Sequence, residues 1–511
     1  MKRRVALTAS VLSAAALISA AIAPTYADTK PVLTVGTAFA PLGLDPSISG
    51  NGRAGTMLMP AYEPLVRTKP DGTFVPALAT KWEVSPDFKS VTFTLRDNAK
   101  FSDGSPVTAE AVKNSINYWV HKKGPFSVNL ASLTSIDVVN PTQVKLNFST
   151  GNPDVLYNFN TYWLAGDIIG PAALKDINSL RNTTDGAGAY VLDPAQTVSG
   201  KSYTYVPNKY YYDQAGIRFS KIIIDVIPDS NAALAAMKAG QVQFLVSDAL
   251  TANANHTGLP KNLRIIADPV QWVGMFILDR DGVINPALKH IRVRQALNYG
   301  IDRKLVSKAL LGAYALPSDQ IQGKGFMGHD DALEARYPYD PAKAKALLTA
   351  AGYPNGIPLT ISYSHDTFNA TLAQAFAGQY QKIGVKVTID EKQNFGALIG
   401  PLIQKKLSAI IFTSNSDSPN IAKFQTLMPN GSLNPFHSTD PKLETLLAAA
   451  SALPSDKAAS AWQKVYARVV ELGWFVPLAA TDVVYFASDK IVAHKPRHEV
   501  VIDLMDLKPA K

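Results

Sequence analysis

Apolar positions along this chain change period again and again. From Ser90 to Leu95 they alternate, at Val91, Phe93 and Leu95, the two-residue repeat of a half-buried strand. Val32 to Gly36 reads as an earlier strand. Ile136 to Val139 and Val144 to Phe148 flank Asn140-Pro141-Thr142-Gln143, which predicts a hairpin with a proline in its loop. A strand–helix–strand unit follows. Ile222 to Ile227 is an apolar strand, Asp229 caps a helix running to Lys238, Gly240 ends it, and Val242 to Val246 is the next strand. The theme returns at Leu359 to Tyr363, Leu372 to Lys382 and Val385 to Ile389.

Between these units, Ala287 to Ser318 reads as two short amphipathic helices in tandem. Ile291, Val293, Ala296 and Leu297 form one apolar stripe, broken near Gly300. Asp302 caps a second helix carrying Leu305, Val306, Ala309 and Leu310, and Gly312 stops it. Asp340-Pro341 supplies a cap and first turn for a helix ending at Gly352. Helices at about 440–450 and 455–472 precede an apolar stretch from Trp474 to Ala479. Strands alternating with helices predict an α/β fold, and 511 residues suggest two or three domains. There is no internal repeat and no low-complexity segment.

The N-terminus changes the picture. Lys2, Arg3 and Arg4 precede an apolar run from Val5 to Ala23, and Thr25-Tyr26-Ala27 offers small residues for cleavage, so an export signal at 1–27 is expected. Arg3-Arg4 raises twin-arginine export, but Ala6 stands where a bulky apolar residue is usual, which favours the general secretory route. Without any cysteine the chain has neither disulfides nor a lipid-attachment thiol, and its length allows a large core instead. The formal net charge is +9, which falls to +6 once the leader's three basic residues are removed. The basic residues are dispersed, and the clustering with interleaved aromatics that nucleic-acid binding needs is missing. Beyond the leader no apolar run is long enough to span a bilayer, so the protein is not expected to be membrane-embedded.

Enzyme signatures do not emerge. The eight histidines are scattered, with no pair at metal spacing on one helix face, and neither G-x-S-x-G nor H-E-x-x-H occurs. Gly323 to Gly328 does spell G-x-G-x-x-G, but no strand precedes it closely and His329-Asp330-Asp331 follows, so it reads as a loop. No cofactor and no metal are expected.

Several blocks occur in one order over nearly the whole mature chain. Tyr62-Glu63-Pro64-Leu65-Val66 leads to Pro76-Ala77-Leu78-Ala79, Trp82-Glu83-Val84-Ser85 and the run from Val91 to Val112. Ile227-Pro228-Asp229 precedes Ala232 to Gly240, and Val293 to Leu297 precedes Ile301-Asp302-Arg303 and Gly312-Ala313-Tyr314. Tyr339 to Ala344, Ala351-Gly352-Tyr353, Gln381 to Val385 and Val476-Pro477-Leu478 complete the series. In these blocks the chain resembles periplasmic solute-binding proteins of the peptide/nickel/opine class, which feed ABC importers. The resemblance implies a two-lobed periplasmic binding protein fold with hinge crossings and an extra domain inserted in lobe I. Carried onto this sequence, lobe I takes 28–62, 186–270 and 476–511, the inserted domain 63–185, and lobe II 271–475. The crossings then fall near Pro269-Val270-Gln271 and Phe475-Val476-Pro477.

The resemblance also implies that a small-molecule or peptide ligand closes the cleft and is handed to an inner-membrane ABC permease with its ATPase. The expected binder is monomeric and periplasmic; a periplasmic hydrolase and a chemoreceptor are the rival classes. Peptide-binding members place an aspartate against the ligand's α-amino group after a buried strand. By register against Pro419 that position is Asn415, or Asp417 if the loop is shifted by two residues. A neutral amide there supplies no charge complement and argues against a free-amine peptide; alternatively the segment is a polar helix entry. Tyr363 and His365 align with ligand-facing positions of dipeptide binders. Trp272 and Trp163 are candidate aromatic walls, or ordinary core. Asn51 and Arg53, in the loop after Leu44-Asp45-Pro46, are expected at the cleft rim, where Arg53 either pairs an acidic ligand or is solvated.

Overall fold

The structure is a computed structural model that describes residues 30–49, 55–124, 126–416, 418–496 and 501–510. The leader at 1–27, Asn51, Arg53 and Asp417 lie outside the described residues.

The alternating stretch forms the strand Ser90–Leu95, with Val91, Phe93 and Leu95 buried and the residues between them half-buried. It sits in a four-stranded antiparallel sheet in the order Ala79–Val84, Ser90–Leu95, Gln143–Phe148, Leu133–Asn140. The tight turn of the last pair is the expected hairpin, held by the Thr142 amide donating to Asn140 Oδ1 at 3.0 Å. Thr108 caps the helix Ala109–Lys122, whose buried face (Val112, Ile116, Trp119) packs on this sheet to make a separate core. This is the third, smaller body beside the two lobes.

Both lobes share one mixed sheet of eleven strands. On the first-lobe side, Val32–Thr37 runs parallel to Lys221–Val226 and Phe244–Ser247. On the second-lobe side, Pro358–Ser364 runs parallel to Lys386–Lys392 and Ala409–Asn415. Two long antiparallel strands, Leu263–Ile277 and Phe475–Ser488, join the halves. Leu263 to Asp268 pairs with Val483 to Ser488, which also carries Phe244–Ser247; Gln271 to Ile277 pairs with Ala409–Asn415 on its other edge. The register slips between Pro269 and Gln271, opposite Asp482 and Thr481. Proline has no N–H to give the ladder, so the slip falls where one rung is missing in any case.

The register slip lies at Pro269–Gln271, whereas the segment from Phe475 is regularly paired strand. Phe475 to Pro477 pairs with Gly274 to Phe276, well inside the second-lobe half, and the exchange of partners falls at Thr481–Asp482. The strand starts early because Gly473, at φ 59°, ends the helix Ala459–Leu472 immediately before it.

The helix starts follow from their caps. Asp229, Asp302 and Asp340 accept from the amides of Ala232, Leu305 and Lys343 at 2.7, 2.9 and 2.8 Å. Gly312 adopts φ 57°, and a Cβ there would lie 2.0 Å from Asn253 Oδ1, because the turn packs on the helix Ala249–Asn255 behind the crossing strands. Within the tandem helices, Arg294 and Arg303 are buried. Arg294 donates to the carbonyls of Leu288 (2.7 Å) and Leu472 (2.9 Å), while Arg303 donates to that of Pro477 (2.8 Å) and pairs with Asp319. These two side chains bind second-lobe loops to the sheet. They are scaffold.

Candidate functional site

A cavity of about 540 Å³ opens between the lobes, within the range of small-ligand sites. Strand ends and the loops after them build it: Ala38 and Phe39 follow Val32–Thr37, Ser247 ends Phe244–Ser247, Ser364 ends Pro358–Ser364, and Asn415 ends Ala409–Asn415. Phe39, Phe126, Tyr162, Trp163, Phe395 and Phe412 supply aromatic surface.

Asn415 stands in this wall and is held from both sides. Gln271 Nε2 donates to its Oδ1 at 3.1 Å, and its own Nδ2 donates to the hydroxyl of Tyr162, across the cleft in the other body. The amide is thus a bridge as well as a wall. Trp163 also lines the cavity, 3% exposed and packed edge-on to Tyr162 and Phe126 at centroid distances of 4.8 and 5.3 Å. The structure brings these two expected residues together.

Three others are displaced by strand parity. Gln271 faces the cavity, so Trp272 points to the opposite face, where it stacks on Phe276 at 4.6 Å and is 2% exposed. Ser364 faces the cavity, so Tyr363 turns into the core and its hydroxyl donates to Glu391 Oε2 at 3.2 Å. His365 is exposed and pairs through Nδ1 with Glu391 on the edge strand. That contact holds the Glu391 carboxyl below the usual carboxylate range, while burial raises the Tyr363 phenol. Tyr363, His365 and Trp272 are not part of this cleft wall. Asp417, Asn51 and Arg53 lie outside the described residues.

The charges around the cavity are few. Lys123, the left-handed C-cap of Ala109–Lys122 at φ 54°, is the cation among the described lining residues. Asp248 and Asp366 also line it, but each caps a helix, accepting from Thr251 N at 2.8 Å and Asn369 N at 2.6 Å. Next to the cavity a second contact joins the bodies. Asp154, 8% exposed, accepts from Ser418 Oγ (2.8 Å), Asn420 Nδ2 (3.1 Å) and Ser455 Oγ (3.2 Å), all from the second lobe. Burial lowers the nearby Lys423 ammonium to about 8, opposed by Asp154. Nothing in the one-dimensional pattern marks Tyr162 or Asp154; Gln271 stands in the expected first crossing, one parity step from Trp272.

Among the described residues no three His, Cys, Asp or Glu side chains are grouped to hold a metal ion, and no helix is long and apolar enough to cross a membrane.

The family described as "Bacterial extracellular solute-binding proteins, family 5 Middle" matches residues 73–432. The probable D,D-dipeptide-binding periplasmic protein DdpA of Escherichia coli strain K12 is 30% identical over 386 residues, 71% of each chain. The glutathione-binding protein GsiB of Pectobacterium atrosepticum is 28% identical, over 74% of this chain and 72% of its own. Among solved structures, the binding protein AgaA of A. tumefaciens R10 in complex with agropinic acid superposes with a TM-score of 0.83 at 23% identity, covering 94% of this chain and 99% of that one. A match spanning most of the chain, on two lobes that enclose a cleft, leads to one conclusion: the chain belongs to family 5 of the bacterial extracellular solute-binding proteins, the substrate-binding components of ABC importers.

Proposed function

We propose that this protein captures a small peptide-like or opine-like solute lacking a free ammonium group. It holds that solute between its lobes as a periplasmic monomer and delivers it unaltered to an inner-membrane ABC permease with its ATPase. The observation that carries the reading is the cleft of about 540 Å³ in which Asn415 is bonded between Gln271 and Tyr162. Its polar lining consists chiefly of amides and hydroxyls, which orient carbonyl, hydroxyl and carboxylate oxygens, while its carboxylates are occupied in helix caps. An α-ammonium would be buried there without a carboxylate dedicated to it, which is costly. Relatives named for a D,D-dipeptide, glutathione and agropinic acid mark the chemical neighbourhood; the first two ligands carry a free ammonium, so the exclusion of that group rests on Asn415 and the capped carboxylates of this cleft.

A ligand touching both lobes binds the closed arrangement better than an open one, and so draws the population toward closure for a permease to read. The test is a thermal-shift titration of residues 28–511 with agropinic acid, mannopinic acid, glutathione, free dipeptides and their N-acetyl derivatives, followed by mass spectrometry of the recovered solute. A midpoint that climbs with an opine or blocked peptide, recovered unchanged, supports the reading. Preference for free dipeptides over their blocked forms, or chemical conversion of the solute, overturns it.

A further inference from the structure

Lys423–Leu427 forms a single π-helical turn directly after the short helix Pro419–Ala422. Such turns are rare and concentrate at functional sites, since the extra residue weakens the helical ladder while redirecting a side chain. Here it places Gln425 in the cavity wall. Gln425 is 5% exposed, and its Nε2 has no hydrogen-bond partner among the described residues.

The backbone that carries this side chain is fixed in place. The Gln425 carbonyl accepts from Leu433 N at 2.8 Å, fixing the turn to the segment whose Asn430 and Ser432 also line the cavity. Next in the chain, the Thr426 carbonyl accepts from buried Arg280 at 3.1 Å, and Lys423 Nζ donates to Ser451 Oγ at 2.8 Å. A buried amide donor without an acceptor destabilises the fold. The side chain borders the cleft, and a rotation about its own bonds turns the donor toward a bound solute.

We infer that Gln425 is a specificity-determining ligand contact, whose Nε2 donates to a carboxylate or amide-carbonyl oxygen of the bound solute. The inference rests on the cleft being the solute site and adds which end of the solute lies against the π-turn. It assigns an acceptor-bearing group to the second-lobe wall beside Asn430 and Ser432.

Two substitutions separate the alternatives. Gln425→Leu keeps similar bulk and removes the unpaired donor, so the unliganded protein melts about a degree or more higher than wild type. The same change weakens binding of agropinic acid or an N-acetyl dipeptide, whichever raises the wild-type midpoint, roughly tenfold to a hundredfold. Gln425→Glu presents acceptors to an acceptor and weakens binding further. A lower unliganded melting point for Gln425→Leu makes the residue structural and overturns the inference, with no ligand required. Unchanged affinity in Gln425→Leu, or affinity preserved in Gln425→Glu, also overturns it. Phe395→Ala, at a half-buried aromatic of the same cavity, is the control: if it too leaves affinity unchanged, the cleft reading itself fails. If it weakens binding while both Gln425 variants do not, only the present inference fails.

Discussion

Asp154→Ala removes the buried carboxylate that accepts hydrogen bonds from Ser418, Asn420 and Ser455 across the two bodies. A hydrogen bond to a charged group is worth about 1.5–3 kcal/mol net. Three bonds to one carboxylate do not add, because the group bears a single dehydration cost on closing. For the set we take about 2 kcal/mol, close to a thirtyfold change in the closed-to-open ratio. Solute affinity scales with the fraction of protein in the binding-competent state, so the dissociation constant rises by up to the same factor. The loop itself survives, since the Asp154 amide still donates to Asn152 Oδ1 at 3.0 Å whatever its side chain. Small-angle scattering of the unliganded variant should show a larger radius of gyration, with an unchanged melting point within a few degrees. Calorimetry with the solute selected by thermal shift then gives the affinity. A scattering curve superposable on wild type, together with affinity altered less than about twofold, refutes the idea that this contact sets closure.

Three further outcomes follow from the same geometry. Asn415→Asp keeps the bond from Gln271 and lets the Tyr162 hydroxyl donate instead of accept, so calorimetry should show free dipeptides gaining affinity by about tenfold or more through a charge-assisted bond. Trp272→Ala opens a void beside Phe276 and Phe475 and should cost about 3–5 kcal/mol in denaturant unfolding, while the solute preference measured in the cold stays as it was. Asp482, at the crossing, has its carboxyl pushed up to about 7 by burial and, next, by Asp268. The folded state therefore binds that proton more tightly than the unfolded one. Its stabilising effect is complete in acid and is lost as pH rises through about 7, and Asp482→Asn should flatten the decline in melting point between pH 5 and 8.

Local chemistry was legible wherever one side chain acts on its own backbone. Asp229, Asp302 and Asp340 begin helices because a carboxylate three residues upstream of an orphan amide needs nothing else to bond it. The burial of Val91, Phe93 and Leu95 follows from the pleat. Cleft residues were harder to read because their role turns on parity. Strands buried on both faces show a continuous apolar run, which hides which residue faces which side. An offset of one residue exchanged Gln271 for Trp272 and Ser364 for Tyr363. Asp154 and Gln425 gave no signal at all. One is defined by partners 264 and 266 residues away, the other by the lack of a partner, and periodicity encodes neither.

The blocks that carry the family resemblance explain why fold and ligand separate so cleanly. Arg294 and Arg303 lie in the most distinctive of them, and both spend their donors on carbonyls that hold the second lobe to its sheet. Residues doing that work constrain the hinge and the lobes, and say nothing about what lies between. On the reading proposed here, selectivity falls instead to Asn415, Gln425 and the aromatic walls, which sit at strand ends, on loops and on a π-turn. Closure in turn has two contributions. The Asp154 and Tyr162–Asn415 contacts join the bodies with protein groups alone, whereas a bound solute adds contacts to both walls at once. If the protein-only contacts were much stronger, the closed form would dominate unliganded and a permease could not tell loaded from empty. If they were absent, the solute would have to supply the whole closing free energy and its affinity would fall accordingly. A clasp of about 2 kcal/mol lies between these limits, leaving several kcal/mol of a micromolar solute's roughly 8 kcal/mol to decide the state.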